Sequence, residues 1–333
     1  MIDTIYLEES VRRLPRAQAL LRRFPSATVI GCDRYGEVFN PAAQSFRLQK
    51  RRPALILARK DGKLVLDAPP GFGIGDAHNF YFSHMLNCLY DCRYCFLQGM
   101  FRSAHYVLFV NFEDFKRAID DAIEAVGGER CTFFSGYDCD SLAMESLSGF
   151  AADFVPFFAA RPSALLELRT KSVATRALQL QQPAPNIVVA FSLTPTRAAA
   201  AVEHGAPGVV ARIGAMRELA ESGWSIGIRL DPLLWYEGWE HGYAELIDLL
   251  AASIPERSLH SVSIGPLRFP RMMFHRIAAM YPTEPLLAGP LQRRGNLASY
   301  GKDREAVLSD TVLHRLRLAF PSVDVFSCSS AAT

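Results

Sequence analysis

The sequence predicts an α/β protein: a partial (β/α)6 barrel carrying an N-terminal appendage and a C-terminal extension. Three observations predict it. After Pro69-Pro70, apolar runs of strand length alternate with helical stretches six times over. A tight group of cysteines follows the first of those runs, where a parallel barrel gathers its chemistry. Half of the 333 residues are hydrophobic and 21% are charged, which allows a large core.

Taken in order, residues 11–24 carry Leu14, Leu20 and Leu21 among five arginines and read as a short helix. Apolar runs at 54–59 and 64–67 flank Lys60-Asp61-Gly62-Lys63, and the Asp-Gly pair predicts a β-hairpin. That hairpin is basic, since residues 47–63 hold seven basic side chains against one acidic one. Gly71-Phe-Gly-Ile-Gly75 lacks the GxGxxG arrangement and reads as a linker. The six strands are expected at 79–85, 131–136, 165–170, 187–193, 225–230 and 261–267. Helices are expected between them at 113–126, 142–159, 211–222 and 243–252. A helix at 308–320 and a short strand at 323–328 close the chain. The expected divisions are 1–75 for the appendage, 76–275 for the barrel and 276–333 for the extension.

Charge excludes little: 36 basic against 34 acidic residues give a formal +2, so only local clusters speak for nucleic acid. The opening MIDTIYLEES is acidic and has no apolar signal core, and no apolar run is long enough to cross a bilayer. A cytoplasmic location without membrane contact is the expectation. Seven cysteines, three of them within eight residues, favour metal binding over a disulfide framework in such a compartment.

Cys88-Leu-Tyr-Asp-Cys92-Arg-Tyr-Cys95 is the strongest signal in the chain. Three thiolates can ligate three irons of a [4Fe–4S] cube and leave the fourth open to a small chelating molecule. Structural zinc prefers four ligands in two close pairs, and only one pair here has the C-x2-C spacing, although His84 could complete a set. Cys32, Cys131, Cys139 and Cys328 show no paired metal spacing, so a second cluster is not expected. The C-x3-C-x2-C spacing with an aromatic before its last cysteine is the signature of the radical S-adenosylmethionine superfamily.

From about residue 47 to the C-terminus the sequence resembles the spore photoproduct lyases, radical enzymes that reverse a UV-induced thymine–thymine adduct in DNA. The likeness rests on CLYDCRYCFLQ, Arg169-Thr170-Lys171, Phe191-Ser192-Leu193, Glu237-Gly-Trp-Glu-His-Gly-Tyr243 and the late Tyr300-Gly301. It implies a TIM-like radical S-adenosylmethionine barrel and a carbon–carbon lyase acting through a 5′-deoxyadenosyl radical. It further implies a [4Fe–4S] cluster on Cys88, Cys92 and Cys95, with S-adenosylmethionine held by Tyr94, Ser141, Lys171 and Ser192. Cys139 is implied as the hydrogen donor to the substrate radical, with Tyr94 as a second catalytic residue. A buried free cysteine is also a common packing residue.

The implied partners are damaged DNA and an electron donor such as flavodoxin or ferredoxin. Arg51, Arg52, Arg59, Lys60, Arg293, Arg294 and Tyr300 are the expected DNA contacts, because cations near phosphates release counterions. Trp235, Tyr236, Trp239 and Tyr243 suit either base stacking or packing of a helix. Two departures bear on substrate and recycling. Phe96 follows the last cluster cysteine where the family tends to have tyrosine, and Ser299 precedes the Tyr-Gly pair where it tends to have arginine. These leave two alternatives: an enzyme of the same lineage acting on another nucleic-acid lesion or a small substrate, and a non-catalytic iron–sulfur protein that binds nucleic acid.

Overall fold

In the computed structural model, which describes residues 2–328, two mostly parallel sheets share one hydrophobic core. The larger sheet has eight strands, in the order Leu66–Asp67, His78–Tyr81, Cys131–Ser135, Ala164–Thr170, Ile187–Ser192, Ser225–Leu233, Leu259–Pro266 and Val325–Ser327. Only the first pair is antiparallel; the rest run parallel and curl into a half-barrel. The six expected strands are all present, with a further strand at each edge. Ile187–Ser192 is buried at every position, as parallel strands covered on both faces must be.

Helices cover the outside of the curl. Phe150–Ala159, Val209–Glu221 and Lys302–Ala319 pack on the strands that neighbour them in sequence. Phe112–Ala125 buries Phe112, Phe115 and Ile119, a spacing that puts all three on one stripe. The helix expected over 142–159 divides instead into Glu145–Ser148 and Phe150–Ala159. Gly149 parts them at φ +61, a left-handed conformation that ends a helix.

The hairpin expectation is overturned. Leu55–Ala58 lies inside a second, five-stranded sheet, parallel to Thr4–Glu8 on one side and Tyr106–Phe109 on the other. Leu66–Asp67 joins the barrel sheet instead. Asp61-Gly62 does turn the chain, with Gly62 at φ +77, but the turn links two sheets. All four residues of Leu55–Ala58 are buried, and a two-stranded ribbon cannot cover both faces of such a strand. The segment at 79–85 divides likewise. His78–Tyr81 stays in the barrel, while Met85–Leu86 crosses to pair antiparallel with Tyr106–Phe109. The cysteine loop therefore begins where the two sheets meet.

Near the C-terminal side, Arg268–Pro270, Leu297–Tyr300 and Leu291–Arg294 form a small antiparallel sheet. Helix Arg271–Met280 follows its first strand. No helix among the described residues is long and apolar enough to cross a membrane.

Candidate active site

A cavity of about 520 Å³ opens at the C-terminal ends of the barrel strands, and Cys88, Cys92, Cys95, Cys139, Lys171 and Ser192 all line it. The cysteine loop is held from several directions. Asn87 adopts φ +70 and donates from Nδ2 to the carbonyls of Ser103 (2.8 Å) and His105 (2.7 Å). Lys50 Nζ donates to the carbonyls of Cys88 (2.7 Å) and Tyr90 (3.0 Å). Asp91–Cys92 pairs antiparallel with Glu203–His204, which tethers the loop to the barrel.

The loop then runs into the short helix Leu97–Met100, which rests on Arg271–Met280. A Cβ added at Gly99 would stand 2.6 Å from the Met273 carbonyl oxygen, so only glycine allows this approach. Tyr281 donates its hydroxyl to Gln98 Oε1 at 3.1 Å and closes the brace.

The donor set suits a polynuclear cluster. Burial raises the proton affinity of Cys88, Cys92 (to about 12) and Cys95, and Cys88 and Cys92 each feel Cys95 as well. Among the described residues no three His, Cys, Asp or Glu side chains converge on a point for one metal ion. Thiolates on a single zinc stand roughly 3.8 Å apart, given Zn–S bonds of about 2.3 Å in a tetrahedron. Three thiols that line one cavity without converging on a single point suit the separate irons of a polynuclear cluster better than one ion. The Tyr90 N–H donates to Cys88 Sγ at 3.4 Å, the kind of contact that tunes an iron–sulfur centre.

Behind Cys92 lies a buried charge cluster. Glu203 accepts from Arg212 Nη2 and from the Tyr94 hydroxyl, and also from Thr194 Oγ1 at 3.2 Å. Lys171 Nζ is 4.0 Å from the same carboxylate and 5.3 Å from the centre of the Tyr94 ring. Burial opposes ionisation of Glu203, but Lys171 and Arg212 outweigh it and hold the carboxyl below its ordinary range. Burial likewise opposes the Lys171 charge, and Glu203 restores it. Two cations facing one carboxylate leave a positive charge at the cavity, beside the thiols. Ser192 sits next to them, its carbonyl accepting from Arg212 Nη1 at 3.0 Å.

Cys139 stands on the loop after Cys131–Ser135, across the cavity. Its thiol is buried, and desolvation with Cys88 and Asp138 nearby drives its pKa well above the ordinary value. The side chain is therefore S–H at neutral pH. Phe96 also faces the cavity; its ring centre lies 5.6 Å from that of Tyr137, which stacks at 4.6 Å on Tyr81.

Several expected contacts lie elsewhere. Ser141 is buried but does not line the cavity; its hydroxyl pairs with Ser135 Oγ at 2.9 Å, because the φ +84 turn at Gly136 folds it back under the strand end. Tyr300 is also buried, and its hydroxyl accepts the Trp235 N–H at 2.8 Å, so it is a core residue out of reach of DNA. Trp239 and Tyr243 pack the core as well, and Tyr243 accepts the Leu234 N–H. Of the basic residues, Arg52 is paired with Asp3, Arg59 with Asp114 and Asp61, and Arg294 with Glu305. Lys60 lies over the Phe109 ring. Among the described residues Arg51 and Arg293 are exposed and make no ion pair.

The sequence profile of the spore photoproduct lyase family matches residues 79–323, which takes in the cysteine loop, Cys139, Lys171 and Ser192. The chain belongs to this family. Spore photoproduct lyase of Geobacillus sp. (strain Y412MC61) is 26% identical over 254 residues, covering 72% of this chain and 73% of its own. The Bacillus subtilis (strain 168) spore photoproduct lyase is 24% identical over 248 residues, 72% of each chain. A solved spore photoproduct lyase variant with bound AdoMet and dinucleoside spore photoproduct superposes with a TM-score of 0.85 at 20% identity, covering 98% of both chains. A second, described as complexed with dinucleoside spore photoproduct, gives 0.84 at 20% identity over 98% of both. At that identity the likeness establishes the fold, which is shared along nearly the whole length.

Sequence reasoning passed over Lys50, Glu203, Arg212 and Arg268. Lys50 was hidden in a basic run that looked like a DNA contact. Glu203 follows Ala-Ala-Ala-Ala-Val, and an acid closing so apolar a stretch was the available signal.

Proposed function

We propose that the chain is a radical S-adenosylmethionine lyase that reverses the thymine–thymine adduct of UV-damaged DNA. One observation carries this reading: a buried, protonated Cys139 faces the same cavity as three cysteines of cluster spacing. When bound, the cluster and S-adenosylmethionine supply a carbon radical that takes a hydrogen atom from the lesion. Cys88, Cys92 and Cys95 would hold the cluster. Lys171, left with net positive charge because Arg212 already offsets Glu203, suits the carboxylate of S-adenosylmethionine, and Ser192 offers a hydroxyl beside it. Tyr94 is oriented by Glu203, and its ring forms the floor below Lys171.

Cys139 gives a hydrogen atom to the thymine radical left after the linking bond breaks. The depth of its burial matters here, because a thiolate has no hydrogen atom to give. Walls of apolar and aromatic side chains exclude water, which would otherwise compete for radical intermediates. A one-electron donor such as a flavodoxin or ferredoxin would reduce the cluster. A lesion enters such a recess only when turned out of the duplex, which is easiest where stacking is already damaged.

A second reading, an enzyme of this lineage acting on another lesion, draws on Phe96, which offers the cavity no O–H. The test is anaerobic reconstitution followed by incubation with S-adenosylmethionine, a reductant and a dinucleotide carrying the adduct. Methionine, 5′-deoxyadenosine and the intact dinucleotide with both thymines restored are expected from the wild type and none from Cys92→Ala. Cofactor cleavage without lesion turnover would favour the second reading; no cofactor cleavage would sink both.

A further inference from the structure

The cavity wall holds a second group of charges besides Lys171, Arg212 and Glu203. Arg169 and Arg268 line the cavity, and Arg229 lies fully buried behind them. Glu167, also fully buried, accepts from Arg229 Nη2 at 2.7 Å and from Arg169 Nε at 3.0 Å. Asp231 accepts from Arg268 Nη1 and Nη2 at 3.2 and 3.3 Å. Three guanidiniums thus face two carboxylates. His260 adds no charge, since burial lowers its pKa, and the buried Cys328 thiol has its pKa raised.

The donors are as unbalanced as the charges. Among the described residues, neither Nη of Arg169 and not the Nε of Arg268 donates a hydrogen bond. Both side chains are about one-fifth exposed, and that exposure is toward the cavity they line. A guanidinium carried into a recess with unused N–H groups calls for an acceptor, and its planar fork fits two oxygens on one atom. The position is set by the small C-terminal sheet: Arg268 pairs across the ladder with the uncharged Ser299, so nothing on the neighbouring strand competes for it. The Arg169 guanidinium also lies 5.0 Å over the Phe72 ring, which borders the same recess.

We propose that Arg169 and Arg268 form a phosphodiester subsite, taking the single negative charge of the phosphate that joins the two nucleosides of the lesion. This rests on the lyase reading above. Lys171 and the thiols serve the cofactor, and this pair, beginning two residues before Lys171, grips the substrate backbone. The lesion would then be oriented by its linkage as well as by its bases.

The test compares two ligands on the reconstituted full-length protein: the adduct as a phosphate-bridged dinucleotide, and the same adduct as a dinucleoside without phosphate. The wild type should bind the bridged form about 10- to 100-fold more tightly, the worth of about one charge-assisted hydrogen bond. Arg268→Gln should collapse that preference to near unity, and Arg268→Lys should recover part of it. Arg169→Gln should do the same, but it disturbs the Glu167 network, so Arg268, the more exposed of the two, decides if that variant fails to fold. Equal affinity of the wild type for both ligands, or an unchanged preference in Arg268→Gln, overturns the subsite. A lesion-independent arm titrates dimethyl phosphate by phosphorus NMR. Saturable binding lost in Arg268→Gln upholds the subsite even if no lesion is repaired, and no binding by the wild type rejects it.

Discussion

Glu203→Ala should destabilise the protein sharply, because it strands two cations. Arg212 and Glu203 are each about 1% exposed in their side chains, and Lys171 is 4.0 Å from the same carboxylate. Removing one partner of a buried pair typically costs about 3–5 kcal/mol. Loss of the acceptor for Tyr94 and Thr194 pushes toward the upper end. At roughly 2.1 cal/mol/K per residue, a chain of this length has an unfolding entropy of about 0.7 kcal/mol/K. The melting temperature should therefore fall by about 4–7 °C, read by calorimetry on the cluster-free protein. Glu203→Gln keeps the shape and an acceptor oxygen but not the charge, and should fall between. A melting temperature for Glu203→Ala within about 1 °C of wild type would refute the argument that this carboxylate neutralises the cluster.

Cys139→Ala should still cleave S-adenosylmethionine and still break the adduct, but the stranded thymine radical should be trapped by dithionite, seen by mass spectrometry as a sulfur adduct; clean thymine would remove Cys139 from the mechanism. Gly99→Ala forces a methyl against the Met273 carbonyl, and the helix Leu97–Met100 must lift, so iron loading after reconstitution should drop while the melting temperature changes by less than in Glu203→Ala. Unchanged iron content would show that the brace is dispensable. Acid should weaken the fold through Glu167 and Glu203, both held below the ordinary carboxylate value of 4.5 by buried guanidiniums or lysine that outweigh burial itself. Their stabilisation is complete above that value and is lost as pH falls through the lowered ones. Urea midpoints measured against pH should fall there, and Glu203→Gln should flatten the curve; parallel curves would contradict it.

The barrel was legible because its strands are buried on both faces and stand out as short apolar runs between helical ones. The second sheet was not. Leu55–Ala58 is just as apolar, but its partners lie some fifty residues away on either side, and parallel pairing at such range leaves no local mark. The nearby Asp-Gly turn offered a simpler and incorrect partner. Within the site, the cysteines and Lys171 were readable from spacing and from the strand end that carries them. Glu203 and Arg212 were not, because nothing in the sequence says that two charges nine residues apart are buried together. Tyr300, expected at the DNA through the family resemblance, is instead buried, and its hydroxyl accepts the backbone N–H of Trp235.

The braces on the cysteine loop come from Lys50, Glu203 and Tyr281, three points spread along most of the chain. A ribosome delivers them at well-separated times. Until the stretch around residue 281 has emerged, the three thiols are present but their loop lacks its last brace, so the pre-shaped seat for the thiols is complete only once almost the whole chain has been made.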